Sequence, residues 1–218
     1  MPRGKARSFR DSVVVRIAAG FALAALVLGV FGWLVTDLYR GSAIPLDGSV
    51  RFAARQIQSP MWTALFLAVT KLGSTLYLAI IGGAAGIGFI ILRWFRSLFI
   101  FIIAMLGQAA RLHGFKWMFA RPRPSALINY RAVESFSFPS GHTFASLCLY
   151  GMIAWIVTRQ IENPAVTAAV WILTGILILL IAASRVYIGI HYPTDVLAAL
   201  LAGSIWMAAV MSADHKSL

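Results

Sequence analysis

Two histidines, an aspartate and three basic side chains stand in this sequence at spacings suited to gripping a phosphate group. Lys116 precedes Arg123-Pro124, Pro139-Ser140-Gly141-His142 forms a second cluster, and Ser184-Arg185, His191 and Asp195 form a third. In the second cluster Ser140 is a good helix cap, and Gly141 lets the backbone approach a ligand. A helix opening there presents free amides and the positive end of its dipole to an anion. Lys116, Arg123 and Arg185 add cations, and arginine donates in a plane that matches phosphate oxygens. Together they suit a phosphate dianion, or a transition state with charge spread over equatorial oxygens.

His142 and His191 can each serve as acid, base or nucleophile near neutral pH. Asp195 follows His191 by four residues, with Pro193 between them at a helix-start position. A carboxylate there accepts a hydrogen bond from one ring nitrogen, fixes the tautomer and leaves the other nitrogen able to attack. Spacing alone does not separate the nucleophilic histidine from the acid. Ser184 reads as a local hydrogen-bonding partner, not a second nucleophile. Arg121 reads as a headgroup or solvent contact, and His113 as a polar residue near the interface. Arg131 and Glu134 read as paired or solvated loop groups. Trp117, Phe119, Tyr130, Phe136 and Phe138 line a lipid entry path or form an interfacial belt. No metal and no cofactor are expected. Carboxylates are few, no HExxH or Cys/His ligand spacing occurs, and the cations would repel a divalent ion.

The elements that must position these groups are membrane helices. Of 218 residues, 60% are hydrophobic and 12% charged, about half the charge of a soluble domain. Uncharged runs long enough to span a bilayer fall at 17–36, 72–92, 97–110 (continuing toward 119), 143–158, 163–184 and 196–213. The expected fold is therefore all-α and polytopic, with six transmembrane helices. Within 47–70, Val50, Phe52, Ala53, Ala54 and Ile57 share a segment with Arg51 and Arg55 that reads as an interfacial helix between the first and second spans, while 61–70 is apolar but too short to span. Short connections and no internal repeat argue for one domain over 1–218, with a core near 73–211. Lone Cys148 in an apolar run reads as a small core residue.

Alternating topology places all three polar clusters on one side. The basic leader and the Arg93-Trp-Phe-Arg96 loop mark the other side as cytoplasmic, together with both termini. The net charge of +12 sits in short loops and at helix ends, which excludes a nucleic-acid-binding face and fits lipid headgroups.

The three clusters together resemble the type 2 phosphatidic acid phosphatase superfamily, which also includes soluble vanadium haloperoxidases. Its pattern is K-x6-R-P, then P-S-G-H, then S-R-x5-H-x3-D, and every specified position is matched in order. The resemblance implies that His191 attacks phosphorus to form a phosphohistidine and that Asp195 positions it. It implies that His142 protonates the leaving oxygen, and that Lys116, Arg123, Ser140, Gly141 and Arg185 hold the phosphate, without metal. The function it implies is that of a lipid phosphatase or diphosphatase in a bacterial inner membrane, with the site facing the periplasm. Undecaprenyl diphosphate, phosphatidylglycerophosphate and phosphatidic acid are candidate substrates, and membrane lipids the partners. A lipid phosphotransferase, or a non-enzymatic transporter or scaffold, are the alternatives.

Overall fold

The structure, a computed structural model, describes residues 29–36, 45–130 and 134–214. Every regular element among them is helical. Helix α1 covers residues 29–36. The others are α2 (Pro45–Gln56), α3 (Pro60–Leu72), α4 (Thr75–Ile91), α5 (Phe95–Phe119), α6 (Gly141–Thr158), α7 (Pro164–Ile188) and α8 (Pro193–Ser212). An apolar chain in lipid must satisfy its backbone within itself, and the helix does so residue by residue.

The boundaries follow the sequence. Ser59 and Asn163 accept backbone N–H groups at the starts of α3 and α7, each followed by a proline. Helix α7 ends at Gly189, whose φ of 89° is left-handed. Helix α5 ends on Ala120, also left-handed at φ 42°.

Four helices, α5 to α8, are long and apolar enough to cross a membrane, and α3 with α4 qualifies as a fifth span bent by 49°. The expected second span, 72–92, is thus α4 with α3 running into it. The expected first span, 17–36, lies outside the described residues except for 29–36, as do the basic leader, Arg131 and Lys216. The stretch 47–70 consists of two helices with different partners, α2 over the segment expected to lie at the interface and α3 over the short apolar stretch 61–70. Helix α2 docks on α8 and α7, and α3 packs along α7.

Helices α6 and α8 form the centre, each half buried along its span. A core of Phe89, Phe101, Cys148, Leu149, Met152 and Met207 ties α4, α5, α6 and α8 together. Helix α7 turns Ile172, Leu173, Ile176 and Leu179 outward, as a lipid-facing surface requires. At one end of the bundle, Asp214 accepts from both Arg96 and Arg159, joining the ends of α5, α6 and α8. The opposite ends of α5 to α8 carry Lys116, His142, Arg185 and Asp195. The clusters therefore share one end of the bundle, as alternating topology requires.

Candidate active site

A cavity of about 580 Å³ opens at that end. Lys116, Arg123, Gly141, His142, Arg185 and His191 all line it. The remaining two site residues, Ser140 and Asp195, are wholly buried and lie outside the lining.

His191 sits in the turn between α7 and α8 and is almost completely buried. Its Nε2 lies 3.0 Å from Arg123 Nη1. A guanidinium only donates, so Nε2 is the accepting nitrogen and Nδ1 carries the proton. Nδ1 in turn donates to Asp195 Oδ2 at 3.3 Å. Nucleophilic geometry needs this tautomer, with a lone pair toward the cavity and a carboxylate behind. Burial pushes the imidazole down to about 4, outweighing Asp195, and Arg185 and Arg123 add to the lowering. The ring is therefore neutral at physiological pH.

Asp195 is the third residue of α8 and also accepts from the Tyr192 backbone N–H at 2.9 Å. Pro193 opens the helix, so the histidine–aspartate spacing is a helix start bending the carboxylate back over the preceding turn. That turn is held elsewhere too. Arg51 donates to Gly189 O at 2.7 Å, and Leu127 N donates to Ile188 O at 2.9 Å.

The cations are anchored on backbone carbonyls. Lys116 and Arg123 share Phe136 O, and Arg123 also donates to Ser135 O at 2.6 Å and Ile190 O at 2.9 Å. Arg185, buried in α7, donates to Thr70 Oγ1 of α3. Thr70 is a partner the sequence did not announce.

Two sequence expectations change. Ser140 occupies the N-cap of α6, but its hydroxyl pairs with Thr143 Oγ1 at 3.0 Å instead of capping backbone. Its amide donates to Asp195 O at 3.1 Å. In this arrangement Ser140 joins α6 to α8, while Gly141 lines the cavity. There a Cβ would meet nothing nearer than Leu112 at 3.4 Å.

Arg121 is not a headgroup or solvent contact. It donates to Asp195 Oδ1 at 2.6 Å and to Asp47 Oδ2 at 2.8 Å, and stacks 3.8 Å over Tyr192. Burial opposes its charge, but Asp195 and Asp47 outweigh this and raise its pKa. The signal lay in Arg121-Pro-Arg123-Pro. Each arginine precedes a proline, which extends the backbone, and side chains two apart in such a segment lie on one side only if it does not twist. Here Arg123 reaches the cavity and Arg121 reaches Asp195.

A second cavity of about 510 Å³ runs between α4, α5 and α6. It shares Thr75, Leu78, Leu112, His113 and Ala145 with the first. Beyond them it is walled largely by Ala79, Gly82, Gly83, Phe101, Met105 and Leu149. His113 thus stands at the junction of a cationic chamber and an apolar groove.

The family model of the PAP2 superfamily matches residues 93–218, more than half of the chain. Phosphatidylglycerophosphatase B of Bacillus subtilis is 28% identical over 192 residues, covering 84% of this chain and 90% of that protein. Undecaprenyl-diphosphatase of Sulfolobus acidocaldarius is 32% identical over 114 residues, covering 50% and 48% respectively. A transmembrane PAP2-type phosphatidylglycerolphosphate phosphatase from Bacillus subtilis superposes with a TM-score of 0.81 at 24% identity, over 89% of this chain and 97% of that one. Aquifex aeolicus LpxE superposes at 0.58 with 22% identity, over 75% and 93%. Because the family match spans the whole stretch from Lys116 to Asp195, and the same fold recurs in a membrane phosphatase, the chain belongs to the PAP2 superfamily.

Proposed function

We propose that this PAP2-type phosphatase hydrolyses the phosphate ester or anhydride of a membrane lipid, by way of a phosphohistidine on His191 and without a metal. The observation that carries the reading is the continuity of the two cavities. A chamber lined by Lys116, Arg123, Arg185 and both histidines runs into an apolar groove. Between His113 and Phe101 that groove follows about 18 Å of α5, at 1.5 Å per residue, close to the depth of one leaflet's hydrocarbon. A phosphorylated headgroup and a lipid tail fit these two environments in that order.

The proposed steps combine the His191–Asp195–Arg123 geometry with the roles that the resemblance implies. His191 Nε2 attacks phosphorus as Arg123 shifts from the ring nitrogen to a phosphoryl oxygen. The bond from phosphorus to the leaving oxygen breaks, and His142 supplies that oxygen with a proton. Asp195 balances the positive charge that forms on the phosphorylated ring. Water then attacks the phosphohistidine, His142 takes its proton, and inorganic phosphate leaves with His191 restored. Cations around the phosphoryl group stabilise charge where a metal would otherwise act.

Polyprenyl diphosphate and phosphatidylglycerophosphate are the favoured substrates, the site facing the outer side of a cytoplasmic membrane and the chain acting as one domain. The relatives' names support the substrate class. The test is phosphate release by purified protein from polyprenyl diphosphate, phosphatidylglycerophosphate and phosphatidic acid. Release that persists in EDTA and vanishes in His191→Ala is expected. Turnover that survives His191→Ala, or that needs an added divalent metal, overturns the reading.

A further inference from the structure

Behind His191, away from the cavity, a chain of buried charge reaches a helix far off in sequence. Asp195 accepts from His191 and the Tyr192 amide through Oδ2, and from Arg121 through Oδ1. Arg121 passes on to Asp47 of α2, which is itself buried. Asp47 then returns to α8. It accepts from the Thr194 N–H at 2.9 Å and from Thr194 Oγ1 at 2.8 Å. The Thr194 amide belongs to the first turn of α8, where N–H groups lack partners within the helix. Asp47 is thus a cap supplied from 147 residues away.

We propose that Arg121 and Asp47 are positioning residues for the His191–Asp195 pair, Arg121 fixing the plane of the Asp195 carboxylate and Asp47 holding Arg121 and the first turn of α8 in place. This rests on the reading of His191 as nucleophile. A carboxylate with one oxygen bound can swing about its last torsion, whereas one gripped on both oxygens presents a fixed edge to the imidazole. Arg121 supplies the second grip. Arg51, one turn after Asp47, donates to Gly189 O at 2.7 Å and Ser125 O at 2.8 Å. Helix α2 therefore braces the His191 turn from two points. Two carboxylates and one guanidinium also leave one net negative charge, the counterpart the phosphorylated imidazole needs.

The electrostatic consequence has a sign for each residue. The charged groups facing His191 are Asp195 from α8, Arg185 from α7, and Arg123 from the connection before α6. Arg121 offsets part of the Asp195 charge. Removing Arg121 leaves Asp195 uncompensated, favours a proton on His191, and moves the acid limb of the pH–rate profile to higher pH. Removing the Asp47 charge gives Arg121 wholly to Asp195 and moves that limb the other way.

The experiment compares wild type, Asp47→Asn, Arg121→Lys and Arg121→Gln as full chains in detergent, with His191→Ala as control. Lipid phosphate hydrolysis is followed across pH, and melting is recorded for each. A fall in kcat of about 10- to 100-fold, the usual scale for groups supporting a reacting residue, is expected for Asp47→Asn and Arg121→Gln, with KM within about twofold. Partial rescue by Arg121→Lys and acid limbs displaced in opposite directions are also expected. If Arg121→Gln does not fold, Asp47→Asn and Arg121→Lys carry the comparison. Unchanged kcat in folded variants, or acid limbs displaced in the same direction, overturns the inference while the nucleophile reading stands. Turnover surviving in the His191→Ala control overturns that reading, and this inference with it.

Discussion

Arg123 Nη1 donates to His191 Nε2 across 3.0 Å, so a cation rests on the lone pair proposed to attack phosphorus. The same guanidinium is held by Ser135 O, Ile190 O and Phe136 O. On the proposed mechanism, a phosphoryl group entering the cavity takes over the donors pointed at the ring, and binding thereby uncovers the nucleophile. Arg123→Ala is expected to lower kcat/KM by about 10²- to 10³-fold, the scale for losing one preorganised donor to a developing oxyanion. Arg123→Lys should recover only part of this, because it lacks the planar fork. Steady-state kinetics decide; equal activity in all three proteins contradicts the displacement.

The His191 imidazole titrates near 4 because burial disfavours its charged form. Two outcomes follow. In kcat/KM, a limb from this ring is expected well below pH 6. For stability, the depressed value means that the unfolded chain binds the proton first. The contribution is complete above the ordinary value of 6.5 and lost as pH falls through about 4. Over that window the loss reaches about 3 kcal/mol. Melting curves of wild type against His191→Gln measure it, and identical pH dependence in the two proteins refutes the assignment.

Gly189 fixes the turn before His191 at φ 89°, and a Cβ there would lie 2.4 Å from Leu127 N. Gly189→Ala should cost about 1 to 3 kcal/mol in backbone strain, with more from the clash. It should also displace Gly189 O from Arg51. Lower melting with a fall in kcat is expected; a protein as stable and active as wild type would show that the turn tolerates a side chain.

Gly83 borders the apolar groove, and a Cβ there meets nothing within 4 Å. Gly83→Leu therefore adds a side chain at the border of the groove with no clash at its Cβ. KM for long-tailed lipid phosphates should rise about tenfold or more, while hydrolysis of a short-chain analogue stays near wild type. Equal effects on both substrates would remove the tail from this groove.

Orientation is accessible through Ala126, exposed in the connection between α5 and α6. A cysteine there should react with an impermeant thiol reagent on intact cells, because the wild-type Cys148 is buried. Labelling only after lysis would invert the proposed topology.

The reacting groups were legible because their order and spacing are tied to helix ends. Asp195 reads as an aspartate in a first helical turn, and it is one. The spans of α5 to α8 were legible because lipid demands long uncharged runs. What stayed hidden was the support. Asp47 and Thr70 stand among other polar residues of α2 and α3, and their partners lie 147 and 115 residues away. Pairings that distant leave no local period to read. The break between α3 and α4 was hidden for a related reason. Gly73 there looks like an ordinary small residue of a membrane helix, yet a Cβ on it would meet Ile181 at 2.6 Å and His142 at 3.2 Å. The expectation for Arg121 fails because both arginines of Arg121-Pro-Arg123-Pro serve the site, one reaching Asp195 and the other the cavity.

Asp47, Arg51, Thr70 and Gly73 all precede residue 93, where the family match begins. Part of the proposed bracing of the site thus lies outside the stretch that holds the three motifs, while Arg121 and Leu127 lie within it. A transplant of residues 93–218 behind an unrelated leading segment would inherit all three motifs yet lose the Arg51 and Asp47 contacts at the His191 turn and leave Arg185 without Thr70. On the proposed positioning role of Asp47, rate is tunable by substitutions before residue 93, and a complete motif set points to the reaction without promising its speed.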